Sequence, residues 1–172
     1  LNTGGFISGY KGSPLGGYDL ELSKAQKYLD EKNIFHQPGL NEELGAPAVW
    51  GAQQGEFKQR GKKDGVFGIW YGKGPGMDRT MDVFKHANAA GSSKYGGVLA
   101  IAGDDHAAKS STLPHQSDHN FMSAVMPYLY PSGVDEIVRF GLLGIAMSRY
   151  SGCWTGFKIV SDVADSGKRY DT

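Results

Sequence analysis

The chain has 172 residues, 40% of them hydrophobic, with 18 Lys plus Arg balanced by 18 Asp plus Glu. That is enough apolar material for one domain with a real core and excludes a disordered segment. A net charge of zero argues against a nucleic-acid or membrane-surface role driven by bulk charge. No apolar run approaches the ~18 residues that a membrane helix needs. The start, "LNTGGFISGY", lacks the basic and long apolar regions of a signal peptide. The single cysteine, Cys153, excludes an internal disulfide and a Cys-ligated iron–sulfur cluster within this segment. A cytoplasmic location is the expectation. Glycine is unusually frequent, 26 of 172, about twice the ordinary ~7%.

In chain order, "GFISGY" (5–10) reads as a buried strand, followed by a glycine-rich loop. "DLELSKAQKYLDEKN" (19–33) reads as one helix capped by Asp19, with Leu22, Ala25 and Leu29 on one face. "NIFHQPG" (33–39) is a short strand stopped by Pro38. "NEELGAPAVWGAQQ" opens a helix over about 41–58, in which Pro47 predicts a kink or a regular part that begins near Ala46. "GVFGIWY" (65–71) is a strand and "DRTMDVFKHANAA" (78–90) a helix. "GGVLAIAGDD" (96–105) is apolar without alternation, as central parallel strands are.

A polar stretch occupies 104–120, and "MPYLYP" (126–131) is a strand. Ser132 and Asp135 read as a capping box for a helix over 133–150, whose apolar residues follow helical spacing. "GFKIVSD" (156–162) is the last strand, and the tail reads as frayed or cut. No repeat, low-complexity tract or domain boundary interrupts the chain.

Strand–helix alternation at this spacing predicts one doubly wound α/β domain with about six mostly parallel strands and helices on both faces. Such sheets bind ligands at the carboxyl ends of their strands. The loops that matter are therefore 9–17, 38–43, 72–78, 103–119 and 130–133, and most of the unusual polar residues fall in them.

Each loop admits a plain and a chemical reading. "SGYKGSPLGGYD" (8–19) is a flexible turn or a backbone cradle for phosphate, although it closes neither a Walker A motif nor GxGxxG. Glu42 and Glu43 complement a helix dipole, or one of them shares a proton with a ring nitrogen. Lys73, between glycines, is a surface lysine or an anion clamp. Asp104, Asp105, His106, His115, Asp118 and His119 form loop structure, contacts to substrate or cofactor, or a general acid–base group. Their spacing matches no zinc motif, so a metal is not assigned. No GxSxG elbow supports nucleophilic catalysis.

Taken together, "GYKGSPLGGYD", "NEELGAPAVWGAQQ", "DGVFGIWYGKGPGMDR", "GGVLAIAGDDHAAKSS" and "PSGVDEIVRFGLLGIAMSR" resemble the amino-terminal part of indolepyruvate:ferredoxin oxidoreductases, and more narrowly the long single-chain bacterial form. The resemblance runs from about residue 5 to 165, with five motifs in order. It implies a pyrimidine-binding domain of a thiamine-diphosphate enzyme. That enzyme oxidatively decarboxylates aryl 2-oxoacids such as indolepyruvate, joins the acyl group to coenzyme A and passes electrons through iron–sulfur clusters to ferredoxin.

The diphosphate and its Mg²⁺ belong to a separate domain with a GDG motif, which this chain lacks. The resemblance therefore implies half a cofactor site here, completed by a diphosphate-binding domain of the same or another chain. The clusters and the coenzyme A site would lie elsewhere in a longer, homo-oligomeric enzyme, of which residues 1–172 would be a piece. No nucleic-acid or membrane partner is implied.

Residue by residue, the resemblance makes Glu42 the acid that faces N1′ of the aminopyrimidine and Glu43 only a helix-start acid. It places Gly12, Ser13, Pro14, Asn41 and Gly76 at the cofactor. Lys73, Asp105 and His106 are its expected substrate contacts, and Asp104, Asp105, Ser110 and Ser111 match an Asp-Asp…Ser-Ser loop. The small helix behind Glu42 is expected to pack against another domain. Lys11 stands where the family has Arg, and Pro47 where it has a small helix former. Two other readings follow from the residues: a non-catalytic dimerisation module of the same fold, and a metal-dependent hydrolase using Asp105, His106 and His115.

Overall fold

The computed structural model describes residues 1–55 and 61–169. Six strands form one sheet: β1 (Thr3–Gly9), β2 (Ile34–His36), β3 (Gly65–Lys73), β4 (Val98–Asp104), β5 (Tyr128–Leu129) and β6 (Thr155–Val160). Their order is β2-β1-β3-β4-β6-β5, and every neighbouring pair is parallel. The expected doubly wound α/β sheet is present, wholly parallel where mostly parallel was anticipated. β4 is buried along its whole length and β6 likewise, as strands covered on both faces must be.

The helices divide between the two faces. α3 (Glu42–Gln53), α4 (Gly74–Ala90) and α5 (Asp118–Ser123) cover one, around a core of Val49, Trp70, Met77, Phe84, Phe121 and Trp154. α1 (Gly16–Lys24), α2 (Gln26–Glu31), α6 (Val134–Ser151) and the short α7 (Ser161–Ala164) cover the other, around Ile7, Leu22, Tyr71, Leu99, Ile101 and Phe157. Strand alternation makes this division. In β3, Ile69 and Tyr71 join the second core, whereas Trp70 joins the first.

Several sequence expectations need correction. The single helix over 19–33 is two helices meeting at Ala25, and Asp19 lies in the first turn of α1 instead of capping it. α3 ends at Gln53, short of 58, and residues 56–58 lie outside those described. α3 also runs through Pro47 as one helix. Pro47 is exposed, so the carbonyl one turn back, left without its donor, can turn to water.

α4 begins at Gly74, one turn before 78, with Pro75 in the first turn, where a missing N–H costs nothing. Only Tyr128 and Leu129 of the expected 126–131 strand pair with β6. The capping box at Ser132 is not formed with Asp135: the Ser132 N–H and hydroxyl both donate to Glu136, each at 2.8 Å. Those bonds hold the Glu136 carboxyl below the usual range. Among the described residues no helix is long and apolar enough to cross a membrane.

Candidate active site

β1 and β3 are neighbours in the sheet, yet the chain leaves them toward opposite faces. α1 follows β1 to one side and α4 follows β3 to the other. That divergence is a topological switch point, where a crevice opens beyond the carboxyl ends of the strands. The connection 10–15, the start of α3 and the β3–α4 junction meet there.

Asn41 sets the first wall. Its backbone is extended, and its Oδ1 accepts the Leu44 N–H at 2.7 Å, an N-cap that starts α3 at Glu42. The Glu42 carbonyl accepts the Trp70 indole N–H at 2.9 Å, which ties the helix start to β3. The Glu42 side chain then lies over Gly72 and Gly76. A Cβ on Gly76 would fall 2.3 Å from Glu42 Cδ, and one on Gly72 would fall 3.0 Å from its Cγ. Among the described residues no donor takes up the Glu42 carboxylate. Glu43, its neighbour, is exposed.

α3 approaches β1 closely because Gly45 meets Gly9: a Cβ on Gly45 would lie 3.1 Å from the Gly9 backbone. Ala46 and Val49 are fully buried beside it. These residues pack on the chain's own sheet. Of the small run, Gly51 faces outward with open space around it, and Ala48 and Ala52 are half-buried.

The connection after β1 forms the second wall. A Cβ on Gly12 would stand 3.3 Å from Lys73 Cβ, so the loop lies along the end of β3. The Ser13–Pro14 peptide is cis, Ser13 is exposed, and Pro14 and Leu15 sit over Gly103. The Lys73 amine donates to the Ser110 carbonyl at 2.5 Å and to the Ser110 hydroxyl at 2.8 Å. Asp105 accepts the Ser110 N–H at 3.0 Å, and this bond holds its carboxyl below the usual range. Lys73 and Asp105 are thus brought together through Ser110, while His106 is exposed and, among the described residues, has no hydrogen bond or ion pair with either.

A buried polar cluster borders this crevice. His115 Nε2 is 3.0 Å from Asp78 Oδ2, and its Nδ1 is 3.5 Å from Asp104 Oδ1, too poorly placed for a hydrogen bond. The Asp104 carboxylate also accepts the Ser117 N–H and hydroxyl at 2.9 Å. Lys158, in β6, reaches Asp118 at 2.6 Å and Asp104 at 3.6 Å and lies 4.7 Å from the Tyr130 ring centre. Burial opposes the charge on Lys158, but the Asp118 bond and the Asp104 charge outweigh it and raise its pKa.

Asp78 and Lys158 were not singled out from the sequence. One signal was available: a lysine in an otherwise apolar strand needs a buried counter-charge. The chain matches no protein-family model, and no curated protein matches it.

Among the described residues, no three His, Cys, Asp or Glu come together in a way that could hold a metal ion. Asp105, His106 and His115 therefore do not assemble the centre that a metal-dependent hydrolase requires. An apolar trough of about 490 Å³ lies on the α6 face of the sheet, over Ile69, Leu99, Ile101 and Phe157. It lies across the sheet from Glu42, and among the described residues that line it only Arg149 is charged.

Proposed function

We propose that this chain is the pyrimidine-binding domain of a thiamine-diphosphate-dependent 2-oxoacid:ferredoxin oxidoreductase acting on aryl 2-oxoacids such as indolepyruvate. The observation that carries the reading is the Glu42 carboxylate. It stands at the sheet's switch point, over two glycines, with no donor to it among the described residues.

The residues fit a flat heterocycle. Gly72 and Gly76 make the room in which the Glu42 side chain lies beside the crevice, and the Gly12 loop closes against Lys73 without a side chain of its own. Glu42 would share a proton with the ring nitrogen of the aminopyrimidine, and Asn41 and Trp70 would hold it there by fixing the start of α3. Gly12, Ser13, Pro14 and Gly76 would line the ring. Lys73 and Asp105, linked through Ser110, would face the substrate side.

When bound, thiamine diphosphate supplies the electron sink for decarboxylation. Mg²⁺ and the diphosphate site come from a second domain, and the iron–sulfur clusters, coenzyme A and ferredoxin sites from the rest of a homo-oligomeric cytoplasmic enzyme.

The test compares wild-type and Glu42→Gln full-length enzyme by calorimetric titration of thiamine diphosphate with Mg²⁺ and by 2-oxoacid turnover. The expected outcome is tight, proton-linked binding in wild type. In the mutant the proton linkage is lost and turnover falls by at least 10²-fold, in the range of a lost acid–base group. Near-normal turnover in Glu42→Gln removes the reading.

A further inference from the structure

Tyr71 sits in β3 between Trp70 and Gly72, the two residues of that strand that touch Glu42. Alternation turns its ring to the opposite face, where it is fully buried. Its hydroxyl donates to Asp19 Oδ1 at 2.5 Å and lies 3.1 Å from His36 Nε2. Because the phenolic proton is committed to Asp19, the His36 contact is a hydrogen bond only if His36 carries its proton on Nε2 and donates. Burial raises the Tyr71 pKa, with the Asp19 bond adding to it, and burial lowers that of His36.

The partners belong to the two segments that lead into and out of the crevice. Asp19 is in the first turn of α1, directly after the connection that carries Gly12, Ser13 and Pro14. His36 ends β2 and begins the connection that delivers Asn41 and Glu42. The backbone repeats the link: Tyr10 N donates to Tyr71 O at 3.0 Å, and Gly39 N to Gly9 O at 2.7 Å. A Cβ on Gly9 would lie 2.7 Å from the Tyr71 ring, so the ring packs on the β1 backbone. Tyr18, next to Asp19, meets the same ring edge-on at 5.3 Å.

We propose that Tyr71 is a positioning residue: through Asp19 and His36 it locks the connections 10–15 and 37–41 at the separation that the aminopyrimidine ring requires. This inference rests on the reading of the crevice as a thiamine-diphosphate half-site. Tyr71 does not touch the ring. It sets the distance between the loops that do.

The test uses the full-length enzyme and thiamine diphosphate with Mg²⁺, read by calorimetric affinity and by kcat and KM. Tyr71→Phe should weaken cofactor binding about tenfold or more. Asp19→Ala should weaken it to the same extent, and the double variant no further. Asp19→Asn keeps an acceptor for the phenol and should restore near-wild-type affinity, which a purely structural role for the charge does not predict.

Wild-type affinity in Tyr71→Phe and Asp19→Ala, even with a lowered Tm, overturns the inference. If Tyr71→Phe does not fold, the Asp19→Ala and Asp19→Asn pair decides alone. Glu42→Gln is run beside them. Normal turnover in Glu42→Gln overturns the functional reading and this inference with it. Lost turnover there, with wild-type binding in the Tyr71 and Asp19 variants, overturns this inference alone.

Discussion

The Glu42 carboxylate occupies the space that a side chain at residue 76 would need: a Cβ there would stand 2.4 Å from Glu42 Oε1. Gly76 is the third residue of α4 and does not adopt a left-handed conformation, so alanine suits its backbone. In a helix, alanine is favoured over glycine by about 1 kcal/mol. Gly76→Ala should therefore gain that helix preference but displace the whole Glu42 side chain, whose Cγ would lie 2.2 Å from the new methyl group, and so push the carboxylate out of the crevice. Turnover of a 2-oxoacid should fall at least tenfold, far more than any accompanying loss of Tm would explain. Wild-type turnover would mean that the carboxylate position does not matter.

Glu43 provides the contrast. It is exposed in the first turn of α3, where an acid does no more than complement the helix dipole. Glu43→Gln should cost about 0.3–1 kcal/mol in chemical unfolding and leave turnover intact. A loss of turnover matching that of Glu42→Gln would show that the pair acts as a unit.

Much of this arrangement is legible in the residues. The alternation of apolar runs with amphipathic ones predicts the doubly wound sheet, because parallel strands buried on both faces leave long unalternated runs such as "GVLAIAG". The carboxyl-end rule then selects the loops that hold Glu42, Gly12 and Lys73. Local patterns misled where a neighbouring group competed. Ser132 prefers Glu136, whose carboxylate reaches both its N–H and its hydroxyl, over Asp135.

α3 tolerates Pro47 because that residue faces outward. The anchors Tyr71, His36, Asp78 and Lys158 were illegible for a common reason. Their contacts, Tyr71 with His36 and Asp19, Asp78 with His115, and Lys158 with Asp118 and Asp104, span 35 to 54 residues of sequence, and only the strand order brings them together. Lys73 reads as a free cation in its glycine turn, yet Ser110 takes its amine from 37 residues away.

Lys158 and Asp118 carry a pH dependence whose sign follows from their shifts. Burial raises the Asp118 pKa, but the bonds from Lys158 and Tyr128 outweigh it and bring the net value below the usual range. A depressed carboxyl contributes stability above its unfolded pKa of about 4 and loses it as pH falls through the folded value. Lys158, raised, contributes below its unfolded pKa of about 10.4 and loses that contribution only at higher pH. Chemical unfolding should show a plateau between these limits and a decline on the acid side. Asp118→Asn should flatten that acid limb and cost about 3 kcal/mol at pH 7, since it leaves Lys158 buried with only the more distant Asp104. An unchanged acid limb would assign the decline to other carboxylates.

His115 fills the place where a side chain on Gly74 would go: a Cβ there would fall 2.2 Å from the imidazole Cγ and 2.7 Å from its Cβ. These are inner atoms of the side chain, so a rotation of the ring tip does not relieve the overlap. Gly74→Ala should expel the ring and break its bond to the exposed Asp78, while Asp104 keeps its bonds from Ser117. The cost should be about 0.5–1.5 kcal/mol, the range for one hydrogen bond. His115→Ala removes the ring and makes room for the methyl group. Once the ring is gone, the added methyl has nothing to displace. The double variant Gly74→Ala/His115→Ala should therefore be more stable than the sum of the two single losses predicts, by 0.5 kcal/mol or more. Additive losses in a chemical-unfolding cycle would show that the ring does not depend on the glycine.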